Sequence, residues 1–200
     1  MPELIGPDDI QLIAEAALDV PGADSVEVLF VHDWSGLTRF ADSHMHQNTW
    51  RENSAVRIRA VSGARIGVAS TNDVSKDGAA KAARSAVELA GVAAPDPLFA
   101  GLAPRAETPE RPGAFDEATA TATPEGCAEI VASLVAECAD GFHAAGAVEA
   151  TASEVALANS KGQFCYAPLT QATISTVVSG GQGGAGFAEV AAPRLSDLDP

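Results

Sequence analysis

Residues 55–61 read AVRIRAV, with Val56, Ile58 and Ala60 at one parity and Arg57 and Arg59 at the other. Side chains of an extended strand alternate between its two faces, so this period of two sets one face against a core and leaves the other wet. Ser62-Gly63-Ala64-Arg65 is turn-like and IGVAS at 66–70 returns, which predicts a hairpin. Upstream, a strand is predicted at Val26–Val31 and a turn at Asp33-Trp34-Ser35-Gly36. The longer segment Leu37–Arg51 is too mixed for an amphipathic helix and reads as extended and partly exposed. These strands together predict a meander.

Helices flank it. Gly6 and Pro7 signal the first, with Asp8 and Asp9 near its positive end, Ile10, Ile13, Ala14, Ala17 and Leu18 at helical spacing, and Pro21-Gly22 stopping it. Asn72, Asp73 or Ser75 can cap a second, whose stripe Ala79, Ala82, Ala83, Ala86, Val87 and Ala90 runs up to Gly91 and is small enough to lie close on a sheet. From Ala94 to Pro112 the chain is proline-rich and aperiodic. A third helix starts at Thr123 and Pro124 and is predicted to run to about Ala139. Beyond Gly141 come β segments: AGAVEATAS, EVALANS and QFCYAPLTQATISTVVS, with a turn at Asn159-Ser160-Lys161-Gly162. The closing SDLDP reads as the start of a helix. The fold class expected is α+β, a mixed or antiparallel sheet with packed helices. Its divisions are an N-terminal α/β domain over 1–104, a linker over 105–115, and a helix-plus-strand region over 116–200.

Composition sets limits. Of 200 residues 46% are hydrophobic, enough for a real core, and 12 Lys and Arg against 27 Asp and Glu leave a net charge of -15. Such a field repels phosphate backbones, so direct nucleic-acid binding is not expected. The opening MPELIGPDDI lacks the basic and apolar regions of a signal peptide, and no window holds 18 uninterrupted apolar residues. A cytoplasmic protein without a membrane span is expected. Cys127 and Cys138, eleven apart in one predicted helix, stand roughly 16 Å from each other, beyond disulfide reach. With Cys165 they read as small hydrophobes.

Motifs for chemistry are sparse. Gly181-Gln182-Gly183-Gly184-Ala185-Gly186 satisfies G-x-G-x-x-G, but no helix-length run follows before Pro193 and no acidic residue lies about twenty positions on, so it reads as a loop or hairpin turn. In ADSHMHQN at 41–48, strand parity puts Asp42, His44, His46 and Asn48 on one face, the donor types a zinc or copper site requires. The same parity places Phe40 and Trp50 there. The segment is therefore open to three readings: metal site, solvated or partner-facing strand, and peptide-contacting strand. There is no H-E-x-x-H, G-x-S-x-G or C-x-x-C anywhere, and the scattered carboxylates single out no acid–base pair.

The series LTRFADSHMHQN (37–48), VRIRAVSGARIGVASTN (56–72), an alanine-rich helix and PDPLFAGL (95–102) resembles the amino-terminal half of the TldD/PmbA proteins, also called modulators of DNA gyrase. A weaker likeness continues through EVALANSKGQ (154–163). The resemblance implies a heterodimeric metallopeptidase of TldD-type and TldE/PmbA-type subunits that takes unfolded peptides, with zinc held by an H-E-x-x-x-H motif of the TldD-type subunit. This sequence has no such motif, and its wording is closer to the TldE/PmbA type. The resemblance also implies a chain of about twice this length with a C-terminal β-rich domain. No cofactor is expected in this chain, and zinc only in a partner subunit or that further domain.

The expectation is a non-catalytic portion of a peptide-processing assembly, with an unfolded peptide and a TldD-type subunit as partners. Arg39, His44, His46, Gln47 and Asn48 are the candidate peptide or partner contacts. Two alternatives stand beside it: a fragment of the zinc-bearing subunit whose ligands lie after Pro200, and a free-standing protein-binding modulator of DNA gyrase.

Overall fold

The computed structural model describes residues 4–180 and 183–198. Chain order runs α1 (Pro7–Leu18), β1 (Ser25–Ala41), β2 (His44–Ser62), β3 (Arg65–Thr71), α2 (Lys76–Val92), α3 (Glu117–Ala120), α4 (Pro124–Ala136), β4 (Phe142–Asn159), β5 (Phe164–Gly180), β6 (Ala185–Ala192) and a 3-10 turn, Leu195–Asp197. The six strands form one sheet in the order β3-β2-β1-β4-β5-β6. All its pairings are antiparallel. The protein is α+β, and the segments on either side of 105–115 contribute three strands each to that sheet.

The hairpin at 62–65 forms as read, Ser62 opposite Arg65. The turn expected at Asp33–Gly36 does not. β1 runs straight through it, with Asp33 opposite Asn53 and Gly36 opposite Trp50, and β4 pairs along its other side. Trp34 marks the physical reason: its ring is buried and its Nε1 donates to the carbonyl of Ala120 at 3.0 Å, which holds the segment extended inside the sheet. The reversal comes instead at Asp42-Ser43, both with positive φ, 50° and 58°. Two such residues make the tight turn whose twist matches a hairpin. Likewise AGAVEATAS and EVALANS are one strand, β4.

The four helices of the described residues cover one face. Along β1 the buried even positions meet them in turn: Val26, Val28 and Phe30 pack with α1 and α2, Trp34 with Ala120 of α3, Phe40 with Cys127, Val131 and Leu134 of α4. Each fully buried side chain of this size contributes about 1.5–3 kcal/mol relative to exposure. Ser75 is the cap of α2, its Oγ accepting from Gly78 N at 3.0 Å. The alanine stripe lets α2 settle onto β3 at Gly67, where a Cβ would stand 2.0 Å from the carbonyl oxygen of Ala86. Helix α4 ends at Ala136, three residues earlier than expected, with Glu137 as its C-cap. The opposite sheet face, including Leu29, Val31, Leu37, Val155 and Leu157, is half-buried. Gly181 and Gln182 of the glycine motif lie outside the described residues, as do Asp199 and Pro200 of the final SDLDP. FAEVAA after the glycine tract is strand, and LSD a single 3-10 turn.

Candidate functional site: the open edge of the second strand

The pairing of β3 with β2 is confined to Val56–Ser62 of β2. Among the described residues no strand borders the outer side of His44–Ala55. This half of β2 is also exposed, from His44 through Asn53, in contrast to Val56, Ile58 and Ala60. One contact closes the inner end: Asn72, just after β3, donates Nδ2 to the carbonyl of Ser54 at 2.7 Å and to Asn53 Oδ1 at 3.1 Å. The Ser54 carbonyl therefore points away from β1. In an antiparallel strand the N–H and C=O of one residue point to the same side and alternate along the chain. Glu52, Trp50 and Asn48 thus turn both main-chain groups outward, an unpaired template for another strand.

The candidate residues occupy three settings. Arg39 and Gln47 are cross-strand partners on the face away from the helices, and Arg39 is exposed. Asn48 lies on the helix-covered face, where Thr38 Oγ1 donates to its Oδ1 at 2.6 Å. His44 stands opposite Ala41 beside the turn, its Nδ1 2.6 Å from the carbonyl oxygen of Asp42. Arg39 is opposite Gln47 and Phe40 opposite Met45, so His46 is an extra residue, a β-bulge.

Turn and bulge together overturn the single face expected for Asp42, His44, His46 and Asn48. Asp42 is in the turn, its Oδ1 2.8 Å from His143 Nδ1, and the bulge breaks the parity between His44 and Asn48. Among the described residues no group of three or more His, Cys, Asp and Glu side chains is placed to hold a metal ion. The donors of this hairpin do not fit a zinc centre.

Three arginines flank the edge without a carboxylate within 4 Å among the described residues: Arg39, Arg51 and Arg57, all exposed. Arg51 and Arg57 share the helix-free face with Arg39. Trp50, on the other face, lies over Gly36 and keeps 49% of its surface exposed. Period-two counting on 48–54 could have found Arg51 and Trp50. Nothing local announces Asn72 as the plug.

Elsewhere, a cavity of about 940 Å³ between α3, α4 and the 3-10 turn is lined by Asp116, Glu129 and Glu137 but by no basic or thiol side chain. Burial pushes the Cys127 thiol above its ordinary value, against a weaker lowering by the Thr38 hydroxyl, as suits an inert packing residue. No described helix is long and apolar enough to cross a membrane.

Residues 26–90 match the family model for PmbA/TldA metallopeptidase domain 1. No curated protein matches the chain. Among solved structures, TldE from Thermococcus kodakarensis shares the fold with a TM-score of 0.81 at 17% identity, over 94% of this chain and 43% of that one. A candidate modulator of DNA gyrase from Bacteroides thetaiotaomicron gives 0.79 at 14% identity, over 96% and 46%. Another from Thermotoga maritima gives 0.70 at 12% identity, over 94% and 43%. At these identities the likeness shows the fold, and the chain spans less than half the length of each of these relatives. The matched residues hold β1, β2, β3 and most of α2, the same hairpin and alanine helix whose sequence carries the resemblance, so over this third of its length the chain is similar to domain 1 of the PmbA/TldA metallopeptidases.

Proposed function

We propose that this chain is a non-catalytic portion of a TldD/PmbA-type peptide-processing assembly, in which the outer half of β2 binds or guides unfolded polypeptide beside a TldD-type subunit. One observation carries this reading: the outward N–H and C=O groups of Asn48, Trp50 and Glu52 have no strand neighbour among the described residues. A segment without structure of its own can add to such an edge through main-chain hydrogen bonds, a mode nearly indifferent to sequence, while a folded domain has no free strand to offer. The match of residues 26–90 to a metallopeptidase domain model supports the peptide-processing setting, and TldE among the structural neighbours supports a two-subunit arrangement. No H-E-x-x-x-H occurs in these 200 residues, so the reading assigns zinc chemistry to a partner subunit or to a further domain.

Arg39, His44, His46, Gln47 and Asn48 occupy the end of the edge next to the β1–β2 turn. There all five serve partner or peptide contact, Asn48 through its outward main-chain groups, and the bulge at His46 ends the regular edge.

Hydrogen exchange of the chain with and without an unfolded peptide tests the reading. Added protection at the amides of Asn48, Trp50 and Glu52 is expected, and unchanged exchange at all three would overturn peptide addition. Replacing His44 and His46 together by Ala is expected to weaken co-elution with a TldD-type subunit while circular dichroism stays unchanged. Full co-elution would remove both from the interface.

A further inference from the structure

The open edge is chemically two-sided. On the helix-free face, Gln47, Thr49, Arg51 and Asn53 line it, and Arg57 follows where β3 ends. On the other face stand Asn48, Trp50 and Glu52. This basic side is unexpected in a chain with only 12 basic residues and a net charge of -15. The carboxylates sharing it on the first two strands, Glu27 and Asp33, are on β1, one strand further from the edge. Glu27 is engaged, 2.6 Å from Arg59 Nη2. Arg51 on the open edge, and Arg57 where β2 is already paired with β3, have no such partner among the described residues.

Main-chain direction sharpens this. Glu52 and Trp50 turn their hydrogen-bonding groups outward, so those of Arg51 turn toward β1. A peptide residue opposite Arg51 would then sit in a non-hydrogen-bonded pair, where Cα atoms are about 4.5 Å apart and side chains approach most closely. An opposite charge stabilises such a pair and a like charge opposes it. On the Trp50 side the reverse filter operates. The half-exposed indole offers apolar surface, and Glu52, with 69% of its side chain exposed, disfavours a second carboxylate opposite it.

Resting on the edge-addition reading above, we propose that the β2 edge selects extended peptides of alternating character, with carboxylates on the Arg51 face and apolar side chains on the Trp50 face. The occupant is an acidic–apolar strand of an unfolded polypeptide. Its alternation matters as much as its composition, because a strand with carboxylates on both faces meets Glu52 as well as Arg51.

The test uses the full 200-residue chain and titrates its Trp50 emission with short synthetic peptides. Trp50 is half-exposed and Trp34 is buried, so a change on binding reports the edge. The peptides are an alternating Glu/Leu strand, the same composition in blocked order, versions with Gln or Lys for Glu, and the alternating strand with alternate amides N-methylated. The alternating acidic peptide is expected to bind roughly two- to five-fold tighter than its Gln version, the worth of one cross-strand charge pair. Blocked order is expected to lose that advantage, and Lys to bind weakest. Arg51→Gln should erase the advantage over the Gln peptide and Arg51→Glu should invert the order of acidic and basic peptides. Arg51 is exposed, so both variants keep the fold, checked by circular dichroism.

Equal affinity for the acidic and Gln peptides, with binding still abolished by N-methylation, would overturn the charge selection and leave edge addition standing. Acidic binding that survives N-methylation would overturn strand addition and this proposal together. Absence of binding by every peptide would do the same.

Discussion

Tyr166 donates its phenolic hydrogen to Oε1 of Glu154 at 2.8 Å, and Glu154 has no surface in contact with water. The same carboxylate accepts from the backbone N–H groups of Ile5 and Gly6, each at 2.8 Å, on the approach to α1. Three donors and the positive end of a helix surround a buried carboxyl group that has no cation near it among the described ion pairs. Glu154→Ala strands all three donors and is expected to cost about 3 kcal/mol, Glu154→Gln about 2 kcal/mol because its amide faces an N–H, and Tyr166→Phe about 1 kcal/mol. Denaturant midpoints check the order. A Glu154→Ala protein as stable as the parent would show that the clamp contributes nothing.

Tyr166 is the sole tyrosine, so phenolate absorbance follows it alone. Burial first, then the hydrogen bond and the charge of Glu154, push its pKa well above the ordinary 10.0. A group raised on folding stabilises fully below its unfolded pKa, and that stabilisation is lost as pH rises above it toward the folded value. The phenolate signal is therefore expected to appear later than in the unfolded chain. Stability above pH 10.0 should fall more steeply in the parent than in Tyr166→Phe. Titration at the ordinary value would refute the shift.

Asp116 caps α3, accepting from the Thr119 hydroxyl at 2.6 Å and the Thr119 N–H at 2.8 Å. Those bonds, the hydroxyl first, hold its carboxyl below the ordinary 3.8, with a smaller contribution from Arg194. The sign is opposite to that of Tyr166: the stabilisation is present above 3.8 and lost as pH falls through the folded value. Asp116→Asn should retain the cap and flatten this acid limb, and Asp116→Ala should cost about 1 kcal/mol at neutral pH. Thermal melts from neutral to acid pH read both, and a parallel acid limb in Asp116→Asn would exclude Asp116 as its source.

Two glycines separate rigid from yielding contacts. A Cβ at Gly67 would meet Ala86 O at 2.0 Å and Ala90 N at 2.3 Å, both backbone, so α2 must move. A Cβ at Gly36 would meet Trp50 Cη2 at 2.7 Å, the far end of a half-exposed side chain that can turn away. Gly67→Ala is expected to cost about 3 kcal/mol and Gly36→Ala under about 1 kcal/mol. The Gly36 variant should also red-shift the Trp50 emission. Equal melting temperatures for the two variants would contradict this assignment.

Local chemistry made much of the architecture readable. Alternation in AVRIRAV, the caps at Ser75 and Thr123, Pro7 and Pro124 at helix starts, and the alanine stripe each act over a few residues, so no distant partner is needed to interpret them. The continuous β1 was hidden because Asp33-Trp34-Ser35-Gly36 has turn composition, and only Ala120, 86 residues from Trp34, supplies the acceptor that holds it extended. The four-residue helix α3 carries too short a pattern to announce itself. At the candidate site the partial exposure of Leu37–Arg51 was legible, with Thr38 and Phe40 buried and 44–51 exposed, but the face assignment was not. A turn at Asp42-Ser43 and one extra residue at His46 shift parity, and both depend on register against β1.

The amino acids in order thus determined the hairpin turns at 62–65 and 159–162, the three longer helices and the polar character of 39–48, because propensity, capping and period are properties of neighbours along the chain. Tertiary structure alone decided which stretch of β2 stays unpaired, which way Ser54 turns its carbonyl, and that Glu154 lies beneath Ile5 and Gly6. Those outcomes follow from where β3 stops and from contacts up to 149 residues apart, which no local period encodes.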